Sequence, residues 1–170
     1  MKRIIIKFSL VFAFAVSSST NYAQAVPEEV ERFITGCPNI IVIVRRDGSC
    51  RSQTITRYSS VVRQGNSLVI NGSREYQVRC GDSSKNIDSV MKDEFVVPLS
   101  ASAIEIQQDQ QNLRTTEFKG QVGMWCKDGV NCVKGTHDGT RQNTHPAITF
   151  GSCNQGVTDR LEAALRALVK

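Results

Sequence analysis

Hydrophobic and polar positions switch period along this chain, and the clearest switch lies near its end. Val122, Met124 and Cys126 alternate with Gly123 and Trp125, the period of a half-buried strand. Ala147 to Gly151 predicts another short strand, with Ile148 and Phe150 on one side. Then Val157, Leu161, Ala164, Leu165 and Leu168 recur at helical spacing, so the last helix must bury one stripe, and the adjacent sheet is its expected partner. Asn154 is placed to cap it, and Arg166 suits the negative end of its dipole.

Upstream, Pro27 to Gly36 carries a helix signal: proline at the start, glutamates in the first turn, glycine at the stop, and Val30, Phe33 and Ile34 on one side. From Ile40 the pattern becomes strand-like. Ile40 to Val44 is apolar, Asp47-Gly48 reads as a turn, and Gln53 to Val62 is rich in threonine and valine. Leu68 to Ile70 and Tyr76 to Arg79 flank Asn71-Gly72, a strong hairpin signal. Gly81 to Lys92 reads as a polar connection, and Phe95 to Leu99, Ile104 to Gln107 and Leu113 to Phe118 as further strands. Lys127 to Asn131 is expected to be a hairpin turn setting Cys126 opposite Cys132. The sum is seven to nine strands bracketed by two helices. That predicts one α+β domain with a mainly antiparallel sheet or roll, a short N-terminal helix and a C-terminal amphipathic helix.

Short strands followed by one terminal amphipathic helix resemble the pleckstrin-homology-like roll, in which the helix plugs an open barrel. The segments FVVPLSASAIEI and VGMWCKDGVNCV, with the final strand and helix, also look like exported bacterial proteins of that build. The resemblance implies a fold and no site residue.

Composition then changes the picture twice. Met1 to Ala25 has Lys2, Arg3 and Lys7, an apolar run from Phe8 to Val16, and Ala23-Gln24-Ala25, which together predict a Sec signal peptide cleaved after Ala25. The run is too short to span a bilayer, leaving residues 26–170 as a single domain without a transmembrane segment. Removing the signal takes three basic residues and lowers the formal charge from +5 to +2. All six cysteines, Cys37, Cys50, Cys80, Cys126, Cys132 and Cys153, fall after it. An even count behind an export signal argues for disulfides in a periplasmic or secreted protein. Fifteen pairings are possible; spacing favours Cys126 with Cys132. No CxxC is present, so no metal is expected, nor any cofactor, since glycine-rich phosphate loops are absent too.

Charge supplies the leading functional expectation. Seven arginines and no lysine fall between Arg45 and Arg79, and seven acids between Asp82 and Glu117. Arginine's planar fork suits carboxylates and phosphates, so Arg45, Arg46, Arg51, Arg57 and Arg63 are the candidate binding residues for an anionic glycan, a lipid headgroup or an acidic protein. The plainer readings are that the two segments pair with each other, or that the arginines fill solvent faces of strands. Nucleic acid is disfavoured, because Tyr58 and Tyr76 are the only rings in the basic stretch. The chain is therefore expected to be a non-catalytic binding protein of the bacterial envelope. One alternative is a small secreted, ribonuclease-like hydrolase using His137, His145 and Lys134, although these sit in a polar, mobile-looking loop. Another is an envelope inhibitor or structural partner using the turn at Lys127 to Asn131 as a wedge. No G-x-S-x-G is present, and a free thiol nucleophile is not expected among six cysteines.

Overall fold

The computed structural model describes residues 23–44, 49–109 and 121–169. Most of the expected export signal (residues 1–22), the Asp47-Gly48 turn, Arg45, Arg46 and the expected strand from Leu113 to Phe118 lie outside the described residues.

Two antiparallel sheets and two helices make an α+β structure. In chain order the elements are β1 (Ala23–Ala25), α1 (Glu28–Gly36), β2 (Asn39–Val44), β3 (Cys50–Gln64), β4 (Ser67–Cys80), β5 (Ile87–Pro98), β6 (Ile104–Asp109), β7 (Gln121–Cys126), β8 (Val133–His137), β9 (Arg141–His145), β10 (Ala147–Gly151) and α2 (Gln155–Leu168). The larger sheet runs β1-β3-β4-β5-β8-β9, with β2 also on β3; the smaller runs β10-β7-β6. β1 falls within the expected signal and pairs with the Val62–Gln64 end of β3.

One apolar cluster joins the layers. The upper half of the large sheet gives Tyr58, Val61, Leu68, Ile70, Phe95, Val97 and Val133. The small sheet gives Ile104, Ile106, Val122, Met124, Ile148 and Phe150, α1 gives Val30, Phe33 and Ile34, and α2 gives Leu161, Leu165 and Leu168. Asn154 caps α2, its side-chain oxygen accepting from the Val157 N–H at 3.0 Å.

The other half of the large sheet leaves this core. Along residues 50–57, 73–80 and 87–92 no side chain is fully buried. This part of β3, β4 and β5 forms a projecting blade, closed at its tip by Cys50–Cys80. β3 alone is about 50 Å long at strand rise.

Three expectations change. Asn71-Gly72 is not a turn: the β3–β4 hairpin closes at Gly65, with φ of 57°. Asn71 and Gly72 instead lie within β4 opposite a bulge, where pairing shifts from Tyr58↔Gly72 to Ser60↔Asn71 and leaves Ser59 unpaired. A side chain at Gly72 would sit 2.5 Å from the Arg57 carbonyl oxygen, so close strand approach, not turn formation, requires glycine here. The expected polar connection from Gly81 to Lys92, read as able to hold a turn of helix, does hold a 3-10 turn at Ser83–Lys85, but its second half is strand, β5 beginning at Ile87 because β4 continues and offers it a ladder. The Lys127 to Asn131 segment joins strands of different sheets and is no hairpin; it holds a 3-10 turn at Lys127–Gly129.

The disulfides are Cys37–Cys153, Cys50–Cys80 and Cys126–Cys132. The first closes α1 onto the residues just before α2, 116 positions away in sequence; the last spans six. In the chain-entropy treatment these loops are worth about 4.9 and about 2.4 kcal/mol. Replacing Cys37 and Cys153 by alanine together should therefore lower the free energy of unfolding about twice as far as replacing Cys126 and Cys132. Urea unfolding of both oxidised variants measures it, and equal losses would contradict the ordering.

Candidate functional site

Where the core meets the blade, the core face of the sheet becomes charged. Asp93 of β5 is fully buried at its side chain and stands between two strands. Its Oδ2 accepts from Nε and Nη2 of Arg74 on β4, each at 3.0 Å. Its Oδ1 meets Nδ1 of His137 on β8 at 2.5 Å. A buried carboxylate is stable only when its lone pairs are met, and here a guanidinium and an imidazole meet them. Strand pairing sets the geometry: Asp93 is directly opposite His137 across β5 and β8, and opposite Gly72 across β4 and β5. With no side chain at Gly72, Arg74 one pleat further on reaches in.

His137 and His145 do come together. Their ring centroids are 5.7 Å apart, both against Phe95. The stretch read as a mobile loop is a tight hairpin, β8 turning into β9 at Asp138 and Gly139, whose φ values are 49° and 73°. Positive φ at both central residues is the type I′ signature, and Asp-Gly is its preferred pair. That dipeptide was the available signal; the polar composition of β9, exposed at four of five positions, concealed it.

The arrangement limits the chemistry. Lys134 is exposed and one residue out of step with Val133, Gly135 and His137, so it projects from the opposite face of the sheet. His145 Nε2 is buried without a hydrogen-bond partner among the described residues, 2.7 Å from the place a Gly135 side chain would occupy. The three residues therefore share no reaction space. Nearby, Tyr58 donates to the Thr149 carbonyl at 2.9 Å. Burial pushes its phenol well above the usual range; Arg74 opposes this and Asp93 adds to it. Among the described residues no group of three or more His, Cys, Asp or Glu could hold a metal ion, and no helix is long and apolar enough to cross a membrane.

The arginines divide. Arg51 and Arg57 lie on the outer face of the blade, opposite Arg79 and Ser73. Arg63 has the same odd spacing, but the bulge at Ser59 reverses the parity and sets it opposite buried Leu68, on the core face, where its Nε donates to the Gly65 carbonyl. Part of the basic segment is satisfied within the fold: Arg57 pairs with Glu75 and Arg79 with Asp88, both at 2.7 Å, and Arg74 with Asp93. What stands out is Arg51 directly opposite Arg79, one residue from the Cys50–Cys80 bond. Sequence alone missed Arg74, Arg79 and Asp93, because their meeting depends on register.

His145 carries a pH dependence. Burial, then His137, then Arg74 lower the pKa of His145, with Asp93 acting the other way. The folded state thus favours neutral His145, while the unfolded chain takes up a proton near pH 6.5. The stabilisation is complete above that value and is lost as pH falls through the lowered folded value. Urea midpoints should drop as the pH is lowered below about 6.5, and His145→Gln should flatten the drop. An equal drop in both proteins would refute the assignment. Comparison with protein-family models, with curated proteins and with solved structures finds no match for this chain.

Proposed function

We propose that the chain is an exported, disulfide-stabilised binding protein of the bacterial envelope, without chemistry of its own, that takes an anionic partner on the outer face of the blade. Residues 1–25 act as its cleaved signal, so the sheet of the mature protein lacks β1, and its scaffold is a roll of the pleckstrin-homology-like kind. Three disulfides support the exported setting, because such bonds persist in oxidising compartments.

One observation carries the binding reading. Arg51 and Arg79 are cross-strand partners on a solvent face, and like charges directly opposite each other cost stability. Arg79 is offset by Asp88; Arg51 is exposed and makes no ion pair among the described residues. The Arg79 guanidinium donates to Asp88 and to the Val78 and Ile87 carbonyls, so Arg51 is the planar fork offered to an anion, a carboxylate or a phosphate, with the charge of Arg79 on the neighbouring strand. Arg57, six positions from Arg51 on the same face, extends the surface.

The test uses the oxidised protein on immobilised heparin and on vesicles containing anionic phospholipid. Binding should weaken with salt. Arg51→Gln with Arg79→Gln should weaken it at least about tenfold, at about 1.4 kcal/mol per tenfold, while Arg63→Gln on the opposite face should leave it unchanged. Circular dichroism confirms folding of each variant. Binding to both probes that is indifferent to the double replacement would overturn the reading.

A further inference from the structure

The blade has an open edge. β8 pairs with β5 only from Asp93 to Val96. At the next position Asp138 ends the pairing: its side chain accepts from the Lys92 N–H and its own N–H donates to the Lys92 carbonyl, both at 2.8 Å. Backbone groups alternate in direction along a strand, so the N–H and C=O of Val90 and Asp88 point the same way as those of Lys92. Among the described residues no strand lies beside them. The 3-10 turn at Ser83–Lys85 bounds the far end, which leaves a slot from Ile87 to Met91 centred on Ser89.

This edge is thinly guarded: its one charge, Asp88, is already paired with Arg79. It has no proline and no bulge, and Ile87 and Val90 are 51% and 70% exposed. A flat edge of this sort is a template for another strand.

We infer that the edge from Ile87 to Met91 is a dimer interface, pairing antiparallel with the same segment of a second copy about a twofold axis at Ser89. A second copy offers the slot the same exposed Ile87 and Val90 and the same short length between its bounds, so the contact is self-complementary. In that register Val90 lies opposite the partner's Asp88 and Asp88 opposite the partner's Val90, so all four pairs of free groups are used in four hydrogen bonds. None of these requires Asp138 to leave Lys92. On the core face Ile87 lies opposite the partner's Met91, and on the outer face the two Val90 side chains become diagonal neighbours. An isologous contact of this kind closes on itself and removes both open edges at once. The edge abuts the anion site, because Arg79 pairs with Asp88, whereas Arg51 lies two strands away on β3; the edge-to-edge hydrogen bonds themselves use neither arginine.

Sedimentation of the oxidised protein should show a concentration-dependent dimer. Val90→Asp sets two carboxylates opposite each other twice and should weaken association at least about a hundredfold. Val90→Lys sets a cation opposite the partner's Asp88 and should retain or tighten it, whereas association through a nonspecific apolar patch would be lost in both variants. Ser89→Cys should form a disulfide-linked dimer in air, since facing residues of a non-hydrogen-bonded pair lie about 4.5 Å apart at Cα. The exposure of Val90 leaves room for either charge, and circular dichroism checks the fold. A protein that stays monomeric to its solubility limit would overturn the interface, as would equal losses in the Asp and Lys variants. A dimer that Ser89→Cys fails to cross-link would overturn this register.

Discussion

The bulge at Ser59 is the constraint on which the arrangement of the large sheet depends. A strand of fifteen residues with strict alternation would keep all its odd positions on one face. With Ser59 looped out, Tyr58 and Val61 both turn into the core, and the tyrosine reaches across to the Thr149 carbonyl of the small sheet. The same displacement brings the β3 backbone so close to β4 that only glycine fits at position 72. That absent side chain leaves room on the core face beside Asp93. Bulge, glycine and buried carboxylate therefore form one dependency, and a larger residue at Gly72 would press on all three.

Asp93 then marks a change in what holds the sheet together. Above it, apolar side chains from both sheets and both helices interlock. Below it, along residues 50–57, 73–80 and 87–92, no side chain is fully buried, so burial does less to order the strands. Arg74 and His137 fix the root of the blade to its neighbours on either side, and Cys50–Cys80 fixes the tip. Removing one partner of a buried ion pair costs about 3–5 kcal/mol, so loss of Arg74 would strand a carboxylate and loosen the blade from the core. The histidines acquire a structural meaning in the same way. Their rings continue the aromatic packing of Phe95 down to the point where water begins.

Much of this architecture is written locally, and what is not follows from register. The ends of α2 are legible because Asn154 caps the helix through its own side chain, an interaction spanning three residues. The strand at Ile148 and Phe150 is legible because both residues enter the core. Asn71-Gly72 misleads because the dipeptide fits a turn as well as a close strand crossing, and only the partner strand decides between them. Arg51, Arg57 and Arg63 look equivalent by spacing, yet one unpaired residue between the second and third separates their faces. Nothing local distinguishes His137, buried beside Asp93, from a solvated loop histidine, because the carboxylate it needs is 44 positions away.

A blade without a core of its own is an expensive way to display side chains unless rigidity is the object. Binding loses free energy when mobile loops and long side chains must be ordered, at about 0.5–1.5 kcal/mol for each side chain immobilised. A sheet stapled at the root by an ion pair and at the tip by a disulfide has met much of that cost during folding. With the backbone fixed and Arg79 held by Asp88, an anion on this face has the Arg51 side chain left to order, and it relieves the repulsion of two like charges set opposite each other. The same stiffness serves an edge-to-edge contact, because a strand already extended and twisted offers its hydrogen-bonding groups in register. Covalent bracing, opposed charge and an open edge are thus consistent with one use of the extension, which is to present a fixed surface away from the body of the protein.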